Sequence, residues 1–168
     1  MEYYALTPIS RLKTNNLWIV QPKWYKWKYE LTDNVFVYAK IYTKGFWHGI
    51  TIFETTDEVL VIKNLWNGGL EIKTADDRVL GTIEKKVMNG SVIFTLSNGS
   101  VFTYRSPAPF KSQYTWMDNY DNEIMRMDFG AFSGRITVSY DKRASEIPNF
   151  SALMFLAFKL KMDNAAHG

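Results

Sequence analysis

The groups able to do covalent chemistry in this chain are few. It has no cysteine and two histidines, His48 and His167, so nucleophile–base pairs of the usual kind have little to draw on. His48 follows Phe46-Trp47 at the expected start of a strand and reads as structural or exposed, while His167 falls in the terminal tail. No Gly-rich phosphate loop of the Walker or dinucleotide type occurs. Without cysteine, disulfides, thiolate catalysis and sulfur-ligated metals drop out together. Asp118-Asn119-Tyr120-Asp121-Asn122-Glu123 offers the hard oxygens that calcium takes. It lacks the glycine and distant glutamate of an EF-hand loop, and Asp and Asn favour turns for backbone reasons alone. Asp76-Asp77 is read the same way. We expect a non-enzyme with no catalytic residue, no metal site and no cofactor.

Non-covalent chemistry is better represented. Lys23-Trp24-Tyr25-Lys26-Trp27-Lys28-Tyr29 interleaves cations and aromatic rings. As a strand it would carry Trp24, Lys26 and Lys28 on one face and Lys23, Tyr25, Trp27 and Tyr29 on the other. Trp and Tyr favour the membrane interface, and each Lys near an anionic surface gains about 1 kcal/mol. Single-stranded nucleic acid can stack on such a stretch, a weaker reading here. The competing explanation is packing, with the rings on the core and the lysines snorkelling outward. Net charge is +3, and seven Lys or Arg stand against three Asp or Glu before His48. The candidate contacts for an anionic lipid surface are therefore Lys23, Trp24, Lys26, Trp27 and Lys28, with Lys40 and Lys44 as secondary positions.

These residues must be positioned by a mainly β framework. Aromatics make up 16% of the 168 residues, and Val, Ile, Thr, Tyr, Phe and Trp outweigh the helix formers. Residues 1–22 are expected to be an irregular lead-in, in which Leu17-Trp18-Ile19-Val20 can form one short strand. From Lys23 onward strands and turns alternate, and Val35–Tyr42 shows a clear period of two. Asn89-Gly90 and Asn98-Gly99 are hairpin signals of the type I′ kind. Asp33, Asp76 and Asn119 recur at an interval of 43 residues, which predicts three repeats of four strands.

One later stretch, Phe150-Ser151-Ala152-Leu153-Met154-Phe155-Leu156-Ala157-Phe158, is apolar at every position except Ser151. A helix with no polar face must be enclosed, and nine residues fall well short of the roughly 20 that cross a bilayer. A barrel of about twelve strands is too wide for its own side chains to fill. We therefore expect a closed antiparallel barrel over residues 23–162 enclosing a helix at 149–162, with a tail at 163–168, in one domain. The first residues lack a basic n-region and a long apolar h-region, so no signal peptide and a cytoplasmic location, peripheral to membrane at most, are expected.

Two segments carry a resemblance to a known superfamily. They are Lys28-Tyr29-Glu30-Leu31-Thr32-Asp33-Asn34-Val35-Phe36-Val37-Tyr38-Ala39-Lys40 and Leu70-Glu71-Ile72-Lys73-Thr74-Ala75-Asp76-Asp77-Arg78-Val79-Leu80-Gly81-Thr82-Ile83-Glu84-Lys85-Lys86, followed by the terminal apolar helix. The chain resembles the tubby C-terminal domain, the plant LURP-one-related proteins and the phospholipid scramblases over about residues 23–162. The resemblance implies a twelve-stranded barrel threaded by a C-terminal helix. It also implies phosphoinositide binding through basic residues early in the barrel, where this chain has Lys40 and Lys44. The chain lacks the cysteine cluster of scramblases. Two other functions fit the composition. A lipocalin-like carrier of a small apolar ligand would need an open lumen and a helix outside it, and a protein-partner scaffold would need exposed aromatics.

Overall fold

The computed structural model describes residues 5–23, 28–44, 50–65, 69–85, 91–105, 112–130 and 135–166. Twelve strands form the wall: β1 (Asn16–Val20), β2 (Lys28–Thr32), β3 (Val37–Lys44), β4 (Ile50–Glu54), β5 (Val59–Asn64), β6 (Leu70–Thr74), β7 (Val79–Lys85), β8 (Val92–Leu96), β9 (Val101–Arg105), β10 (Gln113–Met117), β11 (Glu123–Asp128) and β12 (Arg135–Tyr140). Each pairs antiparallel with its sequence neighbours, and β1 pairs with β12 to close the barrel, leaving no edge strand in the ring. The mainly β closed barrel with a C-terminal helix is thus the fold of this chain.

The wall begins earlier than residue 23. β1 lies within the stretch expected to be a lead-in, and its residues Leu17 and Ile19 are fully buried. The third repeat explains why it is needed. β2–β5 and β6–β9 are four-stranded units, but β10–β12 supply only three strands, and β1 takes the fourth place. The units also share an irregularity. Register shifts fall at Leu31/Thr32, Ile72/Lys73 and Trp116/Met117, in the same hairpin of each unit. Each bulge turns two consecutive residues of the following strand inward: Tyr38-Ala39, Leu80-Gly81 and Ile124-Met125 are all buried. The simple alternation expected for Val35–Tyr42 fails for this reason, and Val35 and Phe36 lie exposed in the turn.

The turns in those hairpins are held by short polar side chains. Asp33 accepts from the Val35 and Phe36 N–H groups, and Asp118 from those of Tyr120 and Asn122. Asn34, Asp77 and Asp121 adopt positive φ of 72°, 64° and 60°, conformations that Asn and Asp tolerate better than most residues. The stretch around Asp118 is therefore a hairpin turn whose carboxylate is engaged by its own backbone. The Asn98-Gly99 hairpin departs from the expected type I′ form. Only Gly99 has positive φ, 86°, and Leu96 both accepts from the Gly99 N–H and donates to the Ser100 carbonyl. That is a three-residue loop with a bulged glycine. The Asn89-Gly90 pair lies outside the described residues.

The helix α1 (Phe150–Ala166) runs through the barrel, longer than the expected 149–162, so most of the expected tail is helical. Every residue from Phe150 to Leu160 is buried. A helix apolar on all sides has no face to fix its rotation, so polar contacts must do it. Trp116 Nε1–H donates to the Leu153 carbonyl at 2.8 Å, and the Tyr104 hydroxyl donates to the Ala157 carbonyl, one turn on, at 3.4 Å. Ser151 Oγ donates to Glu58 at the other end. Rings from separate strands meet the helix, Phe53 on Phe155 at 5.1 Å and Tyr29 on Phe158 at 4.8 Å. Space inside is tight: a Cβ on Gly81 would lie 2.5 Å from the Thr95 carbonyl oxygen and 2.6 Å from the Phe94 ring.

Candidate functional site

The strand directions define two rims. α1 begins at the lower rim, beside the β4–β5 turn, and ends at the upper rim, where β2 begins and β3 ends. At the upper rim Lys28 opens β2 and stands opposite Tyr42 of β3. Lys44 is two residues further along β3, on the same face. Both ammonium groups lie against the Tyr42 ring, 5.9 Å and 5.8 Å from its centroid. Cations held over a ring this way remain available to an anion approaching from solvent. Lys28 and Lys44 are exposed and Tyr42 is half-buried. The Tyr42 hydroxyl donates to Glu54 Oε2 at 3.2 Å. Burial, then the Glu54 charge and that hydrogen bond, hold the phenol above its usual pKa, so it stays a neutral platform.

The other candidates separate. Lys23 is exposed in the segment after β1, on the same rim. Trp24, Lys26 and Trp27 lie outside the described residues, as do His48 and His167. Lys40 is one place further into the wall, opposite Glu30 of β2 and Glu54 of β4. Two carboxylates across the strand offset its charge toward anything distant. The structure therefore brings Lys28 and Lys44 together and sets Lys40 apart.

Two residues on this rim escaped sequence reasoning. Tyr42 is the ring on which the lysines rest, and its place depends on how the β2–β3 hairpin registers. Lys161, near the end of α1, lies over Tyr114 and Phe129 at 5.9 Å and 5.3 Å. Just before it, buried Lys159 pairs with Asp163 one turn on, which offsets the cost of a charge at the mouth.

At the lower rim a half-open cavity of about 580 Å³ lies where α1 begins. Ile9, Leu12 and Phe150 share its lining with Lys13, Asp57 and Glu58. The lumen itself is filled by α1, every residue of which from Phe150 to Leu160 is buried. An open-lumen carrier needs the opposite arrangement.

Compared with protein-family models, with characterised proteins and with solved structures, the chain gives no significant match. Its function must come from the geometry. Among the described residues no helix is long and apolar enough to cross a membrane.

Proposed function

We propose that this protein is a non-enzymatic binding module of the tubby-like kind that docks reversibly on anionic phospholipid at the cytoplasmic face of a membrane. The observation carrying this reading is the convergence of Lys28 and Lys44, from neighbouring strands, on the single ring of Tyr42. Paired cations beside an interfacial aromatic suit a surface of phosphate headgroups better than they suit an apolar ligand. Lys23 extends the cationic edge, and Trp24, Lys26 and Trp27 would add to it. Such docking weakens as salt shortens the screening length from about 10 Å at 0.1 M. The test is co-sedimentation with neutral and anionic vesicles at low and physiological salt. Binding to anionic vesicles alone, lost with salt, supports the reading; no binding at low salt rejects it.

A second reading, a scaffold for a protein partner, has its own observation. Val35, Phe36 and Tyr120 are 76%, 51% and 86% exposed in lower-rim turns. Concentration-dependent sizing and crosslinking would test it.

A further inference from the structure

We infer that the barrel docks end-on, with the upper rim and the end of α1 facing the bilayer, rather than through the β2–β3 patch alone. This rests on the membrane reading above and adds an orientation to it. Three observations support it. First, a second cation–aromatic cluster, Lys161 over Tyr114 and Phe129, sits on the same rim as Lys28, Lys44 and Tyr42 but on the far side of β12 and β1. One flat anionic surface meets both clusters only if it lies across the mouth of the barrel.

Second, the exposed charge near this rim is mostly cationic. Asp163 pairs with Lys159, while Asp128, held by the neutral Ser112 Oγ and Gln113 Nε2 at 3.1 Å and 3.0 Å, keeps its charge but is half-buried. Glu84 is the exposed acid there among the described residues, against the exposed Lys23, Lys28 and Lys44 and the half-buried Lys161. Third, the sequence between the upper-rim strand ends (21–27, 45–49, 65–69, 86–91, 106–112 and 129–134) contains no Asp or Glu. The lower-rim connections (33–36, 55–58, 75–78, 97–100, 118–122 and 141–149) contain nine. An anionic plane attracts one end of such a molecule and repels the other, so the charge distribution sets the approach as well as the affinity.

The absence of cysteine allows a direct test with single labels. An environment-sensitive dye on Asn64→Cys, at the upper end of β5, and another on Tyr120→Cys, in a lower-rim turn, would be read on phosphatidylcholine–phosphatidylserine vesicles carrying a headgroup quencher. End-on docking quenches the dye at 64 and spares that at 120. Equal quenching at both sites overturns the inference. In parallel, Lys161→Glu should reduce partitioning roughly tenfold, whereas Lys13→Glu on the lower rim should leave it within about twofold. Lys161→Gln, which keeps most of the packing on the two rings, should fall between wild type and Lys161→Glu, with an unchanged melting temperature. If Lys161→Glu binds like wild type while a Lys28→Glu/Lys44→Glu variant does not, the patch reading survives and the end-on orientation fails. Failure of the wild-type protein to bind rejects both.

Discussion

The two rims use charge in opposite ways. In the lower-rim turns, acidic side chains are bonded to their own loops, as with Asp33 to the Val35 and Phe36 N–H groups and Asp118 to those of Tyr120 and Asn122. Those charges shape the chain. At the upper rim Lys28, Lys44 and Lys161 rest on rings that position them without neutralising them. Among the described residues those three lysines form no ion pair, which is what the proposed docking draws on. An inventory of charged residues would not separate the groups; what separates them is the kind of partner, a backbone N–H that fixes a turn in one case and a ring face in the other.

The widest perturbation should remove both rims at once. Trp116→Ala takes away a fully buried ring and the donor that holds Leu153, and should cost about 3–5 kcal/mol in denaturant unfolding. If vesicle binding survived in the unfolded variant, it would belong to the sequence rather than to the rim. Next, Lys28→Glu with Lys44→Glu should reduce partitioning on anionic vesicles on the order of a hundredfold while leaving the melting temperature within a few degrees. A matching fall in stability would make these lysines structural, like the lower-rim acids. Conversely, Asp33→Ala or Asp118→Ala should cost about 1–2 kcal/mol, as loss of a capping side chain does, and leave vesicle binding unchanged.

Acid should distinguish the rims too. Burial acts to raise the Asp33 pKa, but hydrogen bonds from Phe36, Tyr38 and Val35 outweigh it and hold the carboxyl below its usual value. Asp118 is held low chiefly by the Asn122 side chain. A carboxylate depressed in the folded state contributes stability above its unfolded pKa of about 3.9, and that contribution is lost as pH falls through the lower folded value. Melting temperature should therefore drop below about pH 4, and Asp33→Asn with Asp118→Asn should flatten that slope. The smallest effect belongs to Lys40→Gln, expected to alter vesicle partitioning by less than about twofold because Glu30 and Glu54 already stand opposite it. A larger loss would extend the docking face down the wall.

The architecture was legible because two signals agreed. The interval between Asp33, Asp76 and Asn119 marks equivalent positions in or beside three turns, and the helix without a polar face demands enclosure. β1 was harder to assign because Leu17-Trp18-Ile19-Val20 is a short apolar run whose partner, β12, lies at the other end of the sequence. The missing fourth strand of the third repeat was the available clue. Lys28 and Lys44 were visible as cations, but their meeting on Tyr42 follows from hairpin register, which a bulge at Leu31/Thr32 shifts. Lys161 was not legible at all. A helix that is greasy on every side gives no hint of which wall its next polar residue will meet.

The β1–β12 seam has a bearing on synthesis. β1 is made before every other strand, yet Leu17 must wait for Val138. All the remaining strands pair with their sequence neighbours, so hairpins can form as the chain emerges, but each would expose an inner face with nothing to cover it. The filling comes last, in α1. Closure and core formation are therefore simultaneous, late and non-local, the conditions for slow folding and for dependence on chaperones while the chain is unfinished. A ribosome paused just short of Phe150 would hold twelve strands with no core for them to enclose.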